Sequence, residues 1–504
     1  MAVIGIDLGT TYSAAAVLHD GTSVQMIPNE EGLDVTPSVV FFPDTEDSEE
    51  PLVGSMAKNS AASAPYNTVQ FIKREMGNDS WLYTSPNGTD FRPEEVSALL
   101  LSKIKSFAEL HLGREVNDVV ITVPAYFDDA RRTATKQAGT MAGLNVLRVL
   151  NEPTAAAIAF GLQAESSGRV LVYDLGGGTF DITLMDIRDG DFDVIATDGN
   201  PNLGGFDFDN TMKELIVEDL RKQEYEVDEF DDFLHSEIRE KSEILKRSLT
   251  SAQQSTAVFT IDGKTYRVKV SREQFEDATK PLLKQTSERL EIMMEDVGVQ
   301  WDDIDHLVMI GGSTRMPMVK RMLEQMSGKT LRHEVNPDEA VALGAAIYAS
   351  ALSGGSTSVQ PISISDVTSQ SLGTIALDDN QELYNSIIIQ RNSKIPSKSS
   401  KVYSTVSDNQ RQLNIEVTEG NDSELEYVNI LGKKCIDIPP YPKGAPVKIT
   451  FAYDIDQTVF VEVYDLTADK LLGTFDIDRR ANLTSGQVNE MRKKLSEIPK
   501  ELDD

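Results

Sequence analysis

The sequence predicts a duplicated α/β domain followed by a smaller antiparallel β domain and one short C-terminal helix, and three observations carry that prediction. The first is an internal echo. Val3-Ile4-Gly5-Ile6-Asp7-Leu8-Gly9-Thr10-Thr11 returns as Leu171-Val172-Tyr173-Asp174-Leu175-Gly176-Gly177-Gly178-Thr179. Each copy is an apolar strand ending in Asp-Leu-Gly, then a small-residue turn and a second apolar stretch, Ala14 to Leu18 or Ile182 to Ile187, that reaches Asp-Gly at residues 20–21 or 189–190. Glycine at that turn signals a β-hairpin. One hairpin is expected per half, with both Asp-Leu-Gly turns facing a cleft between the halves.

The second observation is alternation: the β-branched runs Val119 to Val123 and Leu307 to Ile310 are interleaved with helical stretches, Glu94 to Leu110 and Ser236 to Leu249, as in an α/β unit. The third is a change of pattern. Residues 351–365 are small and polar with isolated apolar positions and read as an interdomain linker. Beyond them, Val447 to Tyr453 and Val459 to Tyr464 alternate apolar and polar residues between turn residues, which predicts antiparallel strands. A capping box, Thr484 to Gln487, then opens a helix with Val488, Met491, Leu495 and Ile498 on one face. The expected division is 1–353 for the duplicated domain, 354–366 for the linker, 367–481 for the β domain and 482–504 for the helix.

Bulk properties narrow the classes. With 504 residues the chain exceeds one hydrophobic core. Its 81 acidic against 48 basic side chains give a net charge of −33, which repels nucleic-acid phosphates and anionic membranes, so neither is an expected partner. Cys435 is the single cysteine, which excludes an intrachain disulfide and a cysteine zinc cage and suits a reducing compartment. The N-terminus has no basic region and meets Asp7 early, unlike a signal peptide, and no apolar run reaches a membrane-spanning length. A cytoplasmic location is expected, where the glycosylation match Asn87-Gly88-Thr89 has no meaning.

Small residues after a strand let backbone N–H groups converge on a phosphate, because no β-carbon blocks the approach. Gly9-Thr10-Thr11 and Gly176-Gly177-Gly178-Thr179 suit that role, and Asp7 and Asp174 before them can hold a hydrated magnesium ion. Either turn alone reads equally as an ordinary strand end; the repetition is what points to a nucleotide. Neither is a Walker A loop or a GxGxxG fingerprint. A third cluster, Gly311-Gly312-Ser313-Thr314-Arg315, follows the run at 307–310 and could admit an adenine ring or phosphate against bare backbone.

These and further stretches resemble the 70-kDa heat-shock chaperone family, the DnaK type. They are Ile6 to Ser13, Val120-Ile121-Thr122-Val123-Pro124-Ala125-Tyr126-Phe127, Asn151-Glu152-Pro153-Thr154-Ala155-Ala156-Ala157, Asp174 to Asp181, and Asn336-Pro337-Asp338-Glu339-Ala340-Val341-Ala342, in the family's order. The resemblance implies an actin-like (ribonuclease-H-like, duplicated) ATPase domain followed by an antiparallel β-sandwich that binds peptides. It implies ATP/ADP, Mg2+ and K+ as cofactors. Lys73 would be the catalytic lysine, beside the γ-phosphate and attacking water; Glu152, Asp7 and Asp174 would order magnesium through water; Thr179 would face the γ-phosphate. Tyr12 and Asp181 match potassium-binding positions. Glu243, Lys246, Arg247 and Thr250, which share a helix face, would hold the adenosine, with Gly204, Gly205, Gly311, Gly312, Ser313, Arg315 and Asp338 completing the pocket.

The resemblance also implies coupling of nucleotide state to peptide affinity through Pro124, Arg132 and Asp366, a J-domain co-chaperone at Arg148, Asn151 and Thr154, a nucleotide-exchange factor, and unfolded or extended client peptides as ligands. The peptide cleft would be lined by Thr374, Ala376, Leu377, Tyr403, Val406, Leu413 and Ile415, residues that on pattern alone read equally as β-domain core. The chain departs from the family in several places. The usually apolar linker is Ile362-Ser363-Ile364-Ser365, which predicts weaker coupling; Phe206 stands where the family has an acidic residue; the hairpin around Thr260 to Lys269 is reduced; and only the first helix of a lid fits between Thr484 and Asp504. Two other readings follow from the same residues. One is a specialised relative that uses nucleotide as a regulatory ligand for a dedicated partner. The other, an actin-fold sugar or acetate kinase, is opposed by the β domain and the Asn-Glu-Pro-Thr stretch.

Overall fold

The computed structural model describes residues 2–19, 23–44, 50–164, 167–331, 335–354, 361–378, 380–455, 457–476 and 482–497. The first echo folds as the strands Ala2–Asp7 and Tyr12–His19, paired antiparallel with Asp7 opposite Ala14. Ser23–Ile27 extends the sheet on one side, and Val116–Val123 and Asn145–Asn151 extend it in parallel on the other. The second echo repeats this plan. Gly168–Leu175 pairs antiparallel with Phe180–Arg188, then Asp191–Asn200, while His306–Ile310 joins in parallel. Val119–Val123 and Val170–Leu175 are buried along their whole length, which is why they read as near-continuous apolar runs. The Asp189-Gly190 turn takes positive φ at both residues (49° and 88°), the twist-matched hairpin geometry; the Asp20-Gly21 turn lies outside the described residues.

The helices Glu152–Ala164 and Ala340–Leu352 pack on each other between the two sheets. A β-carbon on Gly344 would sit 1.7 Å from the Ala155 carbonyl oxygen, so the crossing requires glycine there. The second lobe is capped by the helices Gly205–Lys222, Asp232–Ser248 and Arg272–Val297 and the hairpin Gln254–Ile261 with Lys264–Ser271. Asp231 starts the middle helix by accepting a hydrogen bond from the Leu234 N–H at 2.9 Å.

The C-terminal β region forms two four-stranded antiparallel sheets. In order across each, one holds Leu383–Ile389, Leu372–Leu377, Gln410–Glu419 and Asn429–Tyr441, and the other Ser397–Ser404, Pro446–Tyr453, Val459–Asp465 and Lys470–Asp476. Leu372, Ile415, Val417, Ile449, Phe451 and Val461 form its buried core. The alternating pattern predicts these antiparallel strands, and the resemblance implies their packing into a sandwich.

Two expectations change. Ser363–Ser365, read as a polar linker, is an edge strand in parallel with Asp191–Asp193 of the second lobe's sheet. Its alternation matches the edge it meets: Ser363 and Ser365 lie opposite Asp191 and Asp193, and Ile364 lies opposite Phe192. Backbone pairing does not need leucines, so polarity here is no sign of a loose connection. The helix Ser485–Glu497 buries Val488, Met491 and Leu495 in the first lobe's core and does not cover the sandwich. Asn482 and Gln137 fasten its entry, through Ala130 O at 3.0 Å and Leu483 O at 2.7 Å. Ile498 lies outside the described residues.

Candidate functional site

Between the lobes lies a cavity of about 540 Å³. Both Asp-Leu-Gly turns open into it, and so closely that a β-carbon on Gly177 would lie 1.7 Å from the Thr11 hydroxyl. Gly9, Thr10, Thr11 and Tyr12 face it from the first lobe, and Gly176, Gly177, Thr179 and Gly205 from the second. Gly178 and Gly204, also expected at the ligand, instead pack on one another behind the wall. Gly311, Gly312, Ser313, Arg315 and Asp338 line the far side, where Ser313 donates to Gly176 O at 2.8 Å.

At the phosphate end, Lys73 is buried and paired with Glu152. Asp7, Asp174 and Asp181 surround that pair, so carboxylates outnumber cations there, with Lys73 acting on all three and Arg132 also on Asp181. Burial, with the Glu152 charge next, raises Asp7 and Asp181 to about 7 and Asp174 well above the usual carboxylate range. Asp181 Oδ1 accepts from the Tyr126 N–H at 2.9 Å, while its Oδ2 is buried without a partner. Excess buried negative charge and an orphaned carboxylate oxygen are what a cation would correct. Among the described residues no three such side chains lie close enough to ligate a bare ion, so the chemistry suits a hydrated magnesium. Tyr12 is a different matter. Its hydroxyl accepts from Lys58 at 2.8 Å and Arg247 at 3.1 Å, and two cations there exclude the side chain as a potassium ligand. Its carbonyl oxygen lies against Gly9, where a β-carbon would come within 1.9 Å of it.

The helix Asp232–Ser248 brings Glu243, Lys246 and Arg247 to the opposite end, with Thr250 just beyond it. Burial pushes Glu243 up, but the Lys58, Lys246 and Arg247 charges outweigh it and hold it below its ordinary value. The Lys58–Glu243 pair, 2.7 Å apart, bridges the lobes above the cavity. Sequence reasoning missed Asp209, which receives Lys246 at 2.8 Å and is raised by burial to about 6, and the lining residues Phe206, Val35 and Met316. Asp209 carried a readable signal: it follows Gly205 by one helical turn.

A hydrogen-bonded chain leaves the phosphate end. Arg132, buried, donates to Phe127 O at 3.0 Å, Ala125 O at 3.2 Å and Asn151 Oδ1 at 2.6 Å. Asn151 donates to Asp366 Oδ2 at 2.7 Å, and Pro124 O receives the Phe127 N–H at 3.2 Å. Arg132 and Asp366 are thus joined through Asn151, next to Glu152, and Pro124 meets the chain at Phe127. Asn151 and Thr154 are buried, so in this arrangement they offer a co-chaperone no surface. Arg148 reaches Ile455 O in the sandwich at 2.9 Å.

The expected peptide cleft divides. Leu377 and Val406 are exposed and Ala376, Tyr403 and Leu413 half-buried. Thr374 is buried with its hydroxyl on Glu416 O at 2.8 Å, and Ile415 belongs to the core. Period-two alternation identifies which residues share a face but not which face is covered.

A twinned phosphate-type turn on each lobe of an α/β core, joined to a β-sandwich, defines a nucleotide-handling protein class. The sequence model of the family described as Hsp70 protein matches residues 3–503. The chain belongs to the Hsp70 family, whose members are ATP-binding chaperones with Mg2+-dependent ATPase activity. Among the described residues no helix is long and apolar enough to cross a membrane.

Proposed function

We propose that this chain is an ATP-hydrolysing chaperone in which residues 1–353 bind nucleotide and residues 367–481 bind exposed apolar peptide segments, with 354–366 joining them. The observation that carries the reading is Lys73, buried inside a carboxylate cluster and facing two phosphate turns. Bound magnesium would supply charge neutralisation for the phosphates. Asp7, Glu152 and Asp174 would hold the magnesium through water, the backbone N–H groups of the two turns would cradle the phosphate oxygens, and Lys73 with Thr179 would orient the attacking water. Such positioning is what phosphoryl transfer to water requires. Asp181, with its free Oδ2, and the Tyr12 carbonyl would take potassium. Glu243, Lys246, Arg247, Arg315 and Asp338 hold the adenosine. Arg132, Asn151 and Asp366 link cavity and connector, which supports nucleotide control of the sandwich. Single-turnover hydrolysis with and without an apolar peptide, beside peptide titrations in ATP and in ADP, tests both halves: hydrolysis quickened by peptide and affinity that differs between nucleotides are expected. Absent hydrolysis removes the enzyme, and equal peptide affinity removes the coupling.

A further inference from the structure

The loop that carries Lys73 is held from the other lobe by an aromatic contact. Phe71, in the left-handed region at φ 59°, precedes the short helix Ile72–Glu75. That conformation is uncommon for a bulky residue, and here its ring meets Phe206 edge-on, centroids 4.7 Å apart. Phe206 is bolted to the phosphate turn: its N–H donates to Gly177 O at 2.7 Å, and the Gly205 N–H to Gly176 O at 2.9 Å. The Arg74 guanidinium lies 4.6 Å over the same ring, pairs with Asp207 at 3.2 Å and donates to Asn202 O at 3.2 Å. The first lobe therefore grips the second through the residues at 71 and 74, on either side of Lys73, and Phe206 lines the cavity.

We propose that Phe71, Arg74 and Phe206 form a clasp over the phosphate end of the cavity that positions Lys73 while closed and lets phosphate and ADP out when it opens. This rests on the cavity being a nucleotide site. The rings carry no charge to retain a departing phosphate, and Asp207 and the Phe206 ring occupy the arginine, so opening separates the lobes without a competing anion trap. Lys73 touches the reacting group; these three are positioning residues that act through it.

The test uses the full chain with Phe71→Leu and Phe206→Leu, which stay apolar and lose the ring, and Phe206→Tyr, which keeps it. Quench-flow reads the hydrolysis step, a phosphate sensor reads phosphate release, and displacement of a fluorescent ADP analogue reads nucleotide release. Losing a ring pair and a stacked cation is expected to quicken release roughly tenfold while hydrolysis slows several-fold, and Phe206→Tyr should restore both. The clasp is refuted if the leucine variants bind and hydrolyse ATP with release unchanged, or if every step slows together with a falling melting temperature. A wild-type chain that takes up no nucleotide refutes the site reading itself, and the clasp with it.

Discussion

Arg391 is one of the residues that join the sandwich to the second lobe, beside Asn392 and Lys394, which bond to Thr197 and Asp193. Its guanidinium reaches Asp198 at 3.3 Å and also pairs with Asp296. Asp198 has a fully buried side chain, raised by burial and held down by Arg289 and Arg391. Removing one partner of a buried pair costs about 3–5 kcal/mol because the remaining charge is stranded. Arg289 still stands 3.4 Å from Asp198, and Arg391 is 21% exposed. Halving the cost for those two reasons leaves about 2 kcal/mol, or roughly a thirtyfold shift in the docking equilibrium. Dyes on the second lobe and the sandwich, read by single-molecule energy transfer in ATP, measure the docked fraction directly. Arg391→Ala should move that equilibrium by roughly thirtyfold while the sandwich keeps its own unfolding transition. A shift under about twofold would refute the premise that this ion pair holds the two bodies together.

Lys73→Ala should lower single-turnover hydrolysis by a factor on the order of 10²–10³, measured by quench-flow, while calorimetry still shows nucleotide binding; turnover near wild type would remove Lys73 from the reaction. The same substitution strands Glu152 among Asp7, Asp174 and Asp181, so the nucleotide-free melting temperature should fall and magnesium nucleotide should restore most of it. Glu419 lies where the sandwich meets Asp128, Arg131 and Arg132, and burial, with the Asp128 charge next, raises it to about 8 from 4.5. A raised carboxyl pKa binds its proton more tightly in the docked state, so the stability it contributes is complete below about 4.5 and lost as pH rises through about 8. Docking measured by energy transfer should therefore weaken between pH 6 and pH 8.5, and Glu419→Gln should flatten that profile; an unchanged slope would refute the assignment. Met491→Ser should release the helix Ser485–Glu497 from the first lobe, at about 2 kcal/mol for a lost buried side chain, with amide exchange at residues 488–495 as the readout.

Much of the site was readable because its chemistry is local: a strand, a carboxylate and a glycine turn are contiguous, and their repetition announces a shared cleft. Glu243, Lys246 and Arg247 were readable as one helix face from their spacing, whereas a link to adenosine came only from the family resemblance. What escaped is non-local. Arg391 and Asp198, or Phe71 and Phe206, are brought together only when two bodies meet, and no pattern along either segment records the other. The same limit explains Thr374 and Ile415, whose face is decided by the opposing sheet. It also explains why the half-polar connector suggested weak coupling: its serines make sense only beside Asp191 and Asp193.

That pairing has a consequence for what the second lobe tolerates at its rim. An uncovered sheet edge recruits any passing strand, and carboxylates are a common deterrent. Asp193 is already engaged by Lys394 of the sandwich, and the serine-isoleucine-serine segment sets Ser363 and Ser365 beside Asp191 and Asp193 and Ile364 beside Phe192. With that strand in place, Asp191 to Asp193 no longer offer a free edge to the extended apolar segments that a chaperone is surrounded by.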